Sequence, residues 1–338
     1  MLLMYCIVMV MTLAMTGVAL LYARRRQLVD EPGERRSHSV ATARGGGIAI
    51  VFMTLLGCMA LLGIGLKQPT FIGFVVGFTA VAIIGWIDDH RPLSVKIRLG
   101  IHVLAALAFA LSVLAELGVS AGGMTFALLA FTLCLVLTNV WNFMDGINGI
   151  AAGTGVVVFL AYSMLSFYFW QGITLVLSAA CLGFLFWNFP KAKIFMGDVS
   201  SGAIGFAGGS ALIMAAVWLM TNMKDGAVYA SPLPVIVLVV LLSAPLAPFL
   251  VDTSLTLGRR ILNKEPWWTA HAQHAYQVLA RRFGHPRVTL GYVVLSAVGV
   301  GLVAYFYRSS MIVVLCSGMV WYICNVIFWL FVQRKLAK

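Results

Sequence analysis

The chain has 338 residues, 62% of them hydrophobic and only 10% charged, with a mean hydropathy of +0.99. That leaves too little polar surface to cover a soluble core of this length, so a soluble domain, a disordered chain and a fibre are excluded. The formal net charge of +12 raises nucleic acid as a partner, a reading that the placement of the charges removes below.

A polytopic membrane protein remains, with room for about a dozen spans of about 20 residues. The first apolar run covers 2–22 and is followed by Arg24, Arg25 and Arg26. Basic residues after the run, with no small-residue cleavage site, point to a membrane span and not a signal peptide. Further runs cover 46–64, 70–87, 99–116, 124–141, 150–169, 172–189, 201–221, 233–251, 289–307 and 311–332. The expected architecture is therefore all-α, a single domain over 1–338 with eleven transmembrane helices and its two termini on opposite sides. Cys6, Cys58, Cys134, Cys181, Cys316 and Cys324 all lie in apolar runs without a Cys-x-x-Cys pair. They read as small core or lipid-facing residues, with neither disulfide nor metal duty.

The basic residues orient this array. With the N-terminus outside (periplasmic) and the C-terminus cytoplasmic, 20 of the 23 Lys and Arg fall in inner segments, leaving Lys67, Lys224 and Arg308 outside. Such an asymmetry is topological, and it leaves DNA binding nothing to explain. Of the eleven acids, Glu116 and Asp225 alone fall outside. The polar clusters thus gather on one face, where a cytoplasmic anionic ligand would meet them.

Taken in order, the first inner loop holds Arg35, Arg36 and His38, then Thr42-Ala-Arg-Gly-Gly-Gly-Ile48. A glycine triplet opening a span suits close helix contact or a backbone cradle. Asp88 and Asp89 end the third run, followed by Ser94, Lys96 and Arg98. Adjacent carboxylates repel, which suits a metal site or a general base; the plainer alternative is a solvated helix end. Lys96 and Arg98 have the charge to bind a phosphate, or simply to anchor topology.

Thr138 to Gly155 then interrupts two apolar runs with Asn139, Asn142, Asp145 and Asn148, spaced three apart. That spacing puts four polar groups on roughly one face of a helix end. Burying them unpartnered in so apolar a chain costs several kcal/mol, so a ligand, metal or water-filled cavity is the better account. Lys193-Ile-Phe-Met-Gly-Asp198-Val-Ser-Ser-Gly202 places a tight turn before Asp198 and opens the next helix, whose N–H groups favour anions. Here the plainer alternative is that Asp198 only caps that helix. In the last inner loop His271 and His274 share a helical face by their i, i+3 spacing. Zinc would want a third ligand in step, which is not evident, so hydrogen bonding to a diphosphate suits them better.

Together these stretches resemble the polyprenyl-phosphate N-acetylhexosamine-1-phosphate transferases. The resemblance runs from about Pro32 to Gln277 and rests on Asp88-Asp89 with Ser-Val-Lys-Ile-Arg, Asn-x-x-Asn-Phe-Met-Asp-Gly-Ile-Asn-Gly-Ile, Phe-Met-Gly-Asp and the His-x-x-His loop. It implies transfer of an N-acetylhexosamine 1-phosphate (GlcNAc or a 6-deoxy relative such as FucNAc or QuiNAc) from a UDP-sugar to undecaprenyl phosphate, with Mg²⁺, or Mn²⁺ substituting. The setting it implies is the bacterial inner membrane, with the site cytoplasmic, and the homodimer as the oligomer to look for. Asp198 then resembles a metal ligand, with Asn142 as its helper. Asn148 and Phe195 resemble uracil-contacting positions, and Asp88 and Asp89 the pair that engages or deprotonates the lipid phosphate. Lys96 looks like a phosphate-binding position, Asp145 joins the catalytic carboxylates, and His271 and His274 belong to the diphosphate side.

The last loop lacks a run of three histidines. That favours the branch starting O-antigen or related lipopolysaccharide synthesis over the phospho-N-acetylmuramoyl-pentapeptide transferases, which are the alternative. A secondary transporter is a further rival, but transporters hold ionisable groups near the membrane midplane.

Overall fold

The computed structural model describes residues 2–31, 41–65, 68–222, 232–266, 269 and 271–336. Arg35, Arg36 and His38 of the first inner loop lie outside them. The first helix, α1 (Leu2–Arg25), leads into a two-residue antiparallel ribbon, β1 (Val29–Asp30) against β2 (Thr42–Ala43). Then come α2 (Ile48–Ala60), the short α3 (Leu62–Gly65), α4 (Pro69–His90), α5 (Val95–Leu117) and α6 (Ala121–Met144). They are followed by α7 (Ile150–Met164), α8 (Tyr168–Asn188), α9 (Asp198–Thr221) and α10 (Pro232–Leu242). A 3₁₀ turn at Ala244–Leu246 joins α10 to α11 (Ala247–Leu262), and α12 (Ala275–Phe283), α13 (His285–Phe306) and α14 (Met311–Lys335) complete the chain.

Every apolar run of the sequence is helical, but not every one is a single helix of spanning length. Among the described residues eight helices are long and apolar enough to cross a membrane. The ninth candidate is the pair Pro232–Leu242 and Ala244–Leu262, bent by 45°. α2 and α7 have 13 and 15 residues. At about 1.5 Å per residue they fall short of a hydrocarbon core about 30 Å thick. Of the eleven expected spans, eight are long helices among the described residues, one is the bent pair and two are the short α2 and α7.

Local chemistry sets several boundaries. Pro69 starts α4, where its missing N–H costs nothing. The hydroxyls of Ser94 and Ser120 accept from Ile97 N and Gly123 N to cap α5 and α6. Inside the apolar layer no water satisfies hydroxyls, so Thr12, Thr16, Thr54, Thr138 and Ser210 donate to the carbonyl four residues back. α9 is the central helix, buried almost along its whole length. Its small residues let α6 pack close, with the backbone of Leu137 and Thr138 against Gly205.

Side-chain hydrogen bonds tie several helix termini together at a common level. Tyr22 at the end of α1 bonds His90 at the end of α4 (3.0 Å), and Asn148 before α7 bonds His285 at the start of α13 (3.4 Å). Arg259 near the end of α11 donates to Gln333 of α14 (2.7 Å). The polar motifs within the described residues lie at this end.

Candidate active site

The site is built where α4 ends, α5 and α9 begin and α6 ends. The Arg44-Gly-Gly-Gly segment is stitched to the Phe195 turn: Phe195 N donates to Ala43 O, Gly46 N to Phe195 O and Gly47 N to Met196 O, at 2.8–2.9 Å. Gly197 then takes φ +80°, and a Cβ there would stand 2.6 Å from Asp89 Oδ2. Only glycine meets both conditions without strain.

Asp89 lies under this turn with its side chain 1% exposed. Its Oδ1 accepts from Asp198 N (3.1 Å) and its Oδ2 from Val199 N (3.0 Å). It therefore caps α9 from another helix, with charge-assisted bonds worth roughly 1.5–3 kcal/mol each. Two sequence readings need correction here. Asp198 does not cap its own helix, because the cap comes from Asp89. Nor is the start of α9 free for an external anion, because Asp89 is already the anion there.

Above Asp89 runs a chain of charged groups. Arg98 Nη1 donates to Asp88 Oδ2 and to Asp198 Oδ2, both at 2.9 Å. Asp88 Oδ1 also accepts from Leu93 N (2.6 Å). Arg44 Nη2 donates to the Asp88 carbonyl (3.2 Å) and stands 3.4 Å from Asp89 Oδ1. Asn142 Nδ2 donates to Asp198 Oδ1 (3.0 Å) and Ser201 Oγ (2.9 Å). The Asp198 side chain is the most open of the carboxylates in these ion pairs, at 32%.

Asp145 is the C-cap of α6, its backbone N–H donating to Asn142 O. Burial, and then the neighbouring Asp198 and Asp89 carboxylates, push its pKa well above the ordinary carboxylate range. A raised folded-state pKa means that stability is lost as pH climbs from the ordinary carboxylate range through the raised value. In the ligand-free protein, Asp145→Asn should therefore melt above wild type at about pH 8, with the difference shrinking towards about pH 4. Its transfer rate should nevertheless fall. Thermal unfolding at the two pH values checks the first half, and a lower melting point at the higher pH would contradict it.

Hard oxygen donors at one face are what Mg²⁺ takes, through one or two carboxylates completed by substrate phosphates and water. Asp198 and Asp145 fit that requirement, with Asn142 orienting Asp198 through its amide. No cage of three acidic, histidine or cysteine ligands is preformed among the described residues. The donor set thus suits a cation arriving with a phosphate ligand and does not suit zinc.

The remaining residues singled out in the sequence lie around this centre. Asn148 donates from Nδ2 to Pro190 O (3.0 Å), and its carbonyl accepts from Thr289 Oγ1 (2.7 Å). Phe195 sits on the turn before Gly197. Lys96 is exposed, and among the described residues no hydrogen bond or ion pair ties it to the carboxylates. The histidines are not on one helical face: α12 starts at Ala275, His274 is its extended N-cap and His271 precedes it. Their rings stack all the same, with centroids 4.9 Å apart, and His274 stacks on Phe143 at 6.3 Å. Tyr276 OH donates to Phe143 O (2.9 Å), docking this loop on the last turn of α6. Burial, then His274 and Arg260, lower the His271 pKa to about 4, so in the ligand-free protein it is neutral at pH 7.

Sequence reasoning underrated four residues. Arg98 and Arg44 carry the ion pairs, and buried Asn188 clamps two motifs by accepting from Gly149 N (2.7 Å) and donating to Ile194 O (2.9 Å). Buried Asp252 is the fourth, taken up below. Arg98 and Arg44 were marked only by standing beside motif residues, and Asn188 by its polarity at the end of an apolar run.

Residues 71–216 match the family model of glycosyl transferase family 4. A probable undecaprenyl-phosphate N-acetylglucosaminyl 1-phosphate transferase of Bacillus subtilis is 27% identical over 323 residues, covering 91% of this chain and 83% of that protein. A decaprenyl-phosphate N-acetylglucosaminephosphotransferase of Mycobacterium tuberculosis is 31% identical over 340 residues, covering 89% and 80%. A phospho-N-acetylmuramoyl-pentapeptide-transferase of Frankia alni is 29% identical over 295 residues, covering 70% and 82%.

Proposed function

The chain belongs to the polyprenyl-phosphate N-acetylhexosamine-1-phosphate transferases of glycosyl transferase family 4, and on that footing we propose that it moves an N-acetylhexosamine 1-phosphate from a UDP-sugar to undecaprenyl phosphate. A lipid phosphate oxygen attacks the β-phosphorus of the UDP-sugar. The bond from that phosphorus to the bridging oxygen breaks, and UMP leaves. The observation that carries this reading is the chain Asp88–Arg98–Asp198–Asn142, in which two helix ends and two helix starts hold charge at one end of a membrane bundle.

Phosphoryl transfer asks for positioning and charge stabilisation more than for covalent machinery. Asp89 spends both oxygens on α9, so Asp88 is the member of the pair that faces the lipid phosphate. Arg98 bridges Asp88 and Asp198, Arg44 stands beside Asp89, and the two guanidinium groups offset the repulsion between the carboxylates and offer donors to phosphate oxygens. Mg²⁺ held by Asp198, with Asn142 and Asp145 beside it, would neutralise the diphosphate. Asn148 and Phe195 form the nucleotide end, because an amide offers both the donor and the acceptor that a uracil edge requires. Asn148→Ala should raise the apparent KM for the UDP-sugar about tenfold, the cost of one lost polar partner, and leave that for the lipid unchanged. Equal shifts in both would remove Asn148 from the nucleotide end.

The relatives named for N-acetylglucosamine cover about nine tenths of this chain, and the muramoyl-pentapeptide relative covers 70%. With the missing triple histidine, this favours GlcNAc or a 6-deoxy N-acetylhexosamine as donor and the start of O-antigen or a related surface glycan as product. A transporter is disfavoured because the charged groups gather at one end of the bundle. The test is transfer in oriented membrane vesicles supplied with UDP-N-acetylglucosamine, its 6-deoxy analogues and undecaprenyl phosphate. Product is expected in inverted vesicles alone, and it should vanish when Mg²⁺ is chelated. No product with any donor, or product only in right-side-out vesicles, would reject the reaction or the cytoplasmic placement of the site.

A further inference from the structure

The cluster around Asp198 leaves one buried carboxylate unused. Asp252 of α11 is 2% exposed, and a charge so placed is destabilising unless donors converge on it. Four do. Oδ1 accepts from Ala275 N (2.8 Å) and Thr256 Oγ1 (3.3 Å), and Oδ2 from Tyr276 N (3.0 Å) and Tyr292 OH (2.8 Å). Two of these donors are the first N–H groups of α12, which are buried and have no partner within their own helix. The Nδ1 of His274, the residue before that helix, stands 3.6 Å from Asp252 Oδ1. Tyr276, held by the same carboxylate, reaches across to Phe143 O on the end of α6.

We propose that Asp252 is the positioning residue of the histidine loop. From 20 or so residues upstream it fixes the start of α12, turns the His274 ring and so presents His271 and His274 to the diphosphate of the nucleotide sugar. At 3.6 Å the His274 Nδ1 and the carboxylate are just beyond hydrogen-bond distance; a small turn of the ring would bring an Nδ1–H onto the carboxylate, set the tautomer and leave Nε2 for the ligand, as an outer carboxylate does for a working histidine elsewhere. The arrangement repeats that of Asp89 under Asp198: a buried aspartate of one helix caps another helix at whose start the working residues stand. The role toward the diphosphate rests on the transferase reading, whereas the hold on the loop does not.

Asp252→Asn keeps the shape but turns an NH₂ towards two donors. In the full-length protein in detergent, amide hydrogen exchange over 271–283 should run at least tenfold faster in the variant. Protection of that segment by UDP-N-acetylglucosamine, expected in wild type, should be lost. The KM for UDP-N-acetylglucosamine should rise tenfold or more, while that for undecaprenyl phosphate stays within twofold. Should Asp252→Asn fail to fold, Tyr292→Phe removes one donor and should give the same split at about threefold. Unchanged exchange over 271–283, or both KM values moving together, would overturn the proposal. A wild-type protein that transfers nothing, beside a variant whose loop still loosens, would instead count against the transferase reading and leave Asp252 in charge of the loop.

Discussion

Asp198→Asn should lower sugar-phosphate transfer about a thousandfold or more while the protein still extracts, runs as one species and melts within a few degrees of wild type. The first half follows from what the side chain faces. Its two oxygens accept from Asn142 Nδ2 and Arg98 Nη1, so an asparagine must turn its own NH₂ against one of these donors. It also removes the carboxylate that would hold a divalent cation, and losing electrostatic stabilisation aimed at a transferring phosphoryl group costs two to three orders of magnitude at a typical site. The second half follows from the cap. Asp89 satisfies the N–H groups of Asp198 and Val199, so the helix start survives the change. What is lost there is about 0.3–1 kcal/mol of charge–dipole interaction in the first turn. Measuring UMP release per mole of folded protein decides the matter. A rate near wild type would reduce Asp198 to a structural partner of Arg98.

Much of this arrangement was legible in the sequence because it is local. Hydropathy places the long helices, since each must be apolar along its own length, but not α12, which carries Arg281 and Arg282. Asn142, Asp145 and Asp198 stand out because polar groups interrupt runs that have no use for them. Gly197 announces the turn before Asp198, and φ +80° bears that out. The shortfall in α2 and α7 was not legible, because an apolar run continues through the turn that ends the helix.

What no local pattern carries is capping from a distance. Asp89 lies 109 residues before the N–H of Asp198, and Asp252 lies 23 before that of Ala275. Glu116 does the same at the other end of the bundle, accepting from Thr70 N at 3.0 Å. In water the exposed N–H groups of a helix start are solvated. In a membrane bundle they must be met by protein. Acids in an apolar chain therefore divide into those that cap a neighbour and those that face a ligand, and spacing cannot sort them. The same limit hid Arg98, whose place between Asp88 and Asp198 depends on how closely α4, α5 and α9 converge.

That convergence depends on one missing methyl group. Gly85 lies one turn before Asp88 and Asp89 on α4, and a Cβ there would overlap the Asp198 carbonyl and come within 2.7 Å of Val199 N. The obstacle is backbone, which cannot swing aside as a side chain can. Gly85→Ala should therefore push the start of α9 off α4, lengthening the Asp89 cap and the Arg98 bridge together. Overpacking of this kind costs about 1–3 kcal/mol of stability. The functional loss should be larger, because a displacement of about 1 Å among positioned groups is enough for about a hundredfold in rate. No charged or polar side chain changes, so a loss of that size would be geometric in origin. Gly291→Ala on α13 is the control: nothing lies within 4 Å of its added Cβ, and alanine is the better helix former by roughly 1 kcal/mol. It should transfer at the wild-type rate and melt no lower. If Gly85→Ala behaves like Gly291→Ala, close contact between α4 and α9 does not set the site, and the positions of Asp88 and Asp198 must be fixed by their ion pairs alone.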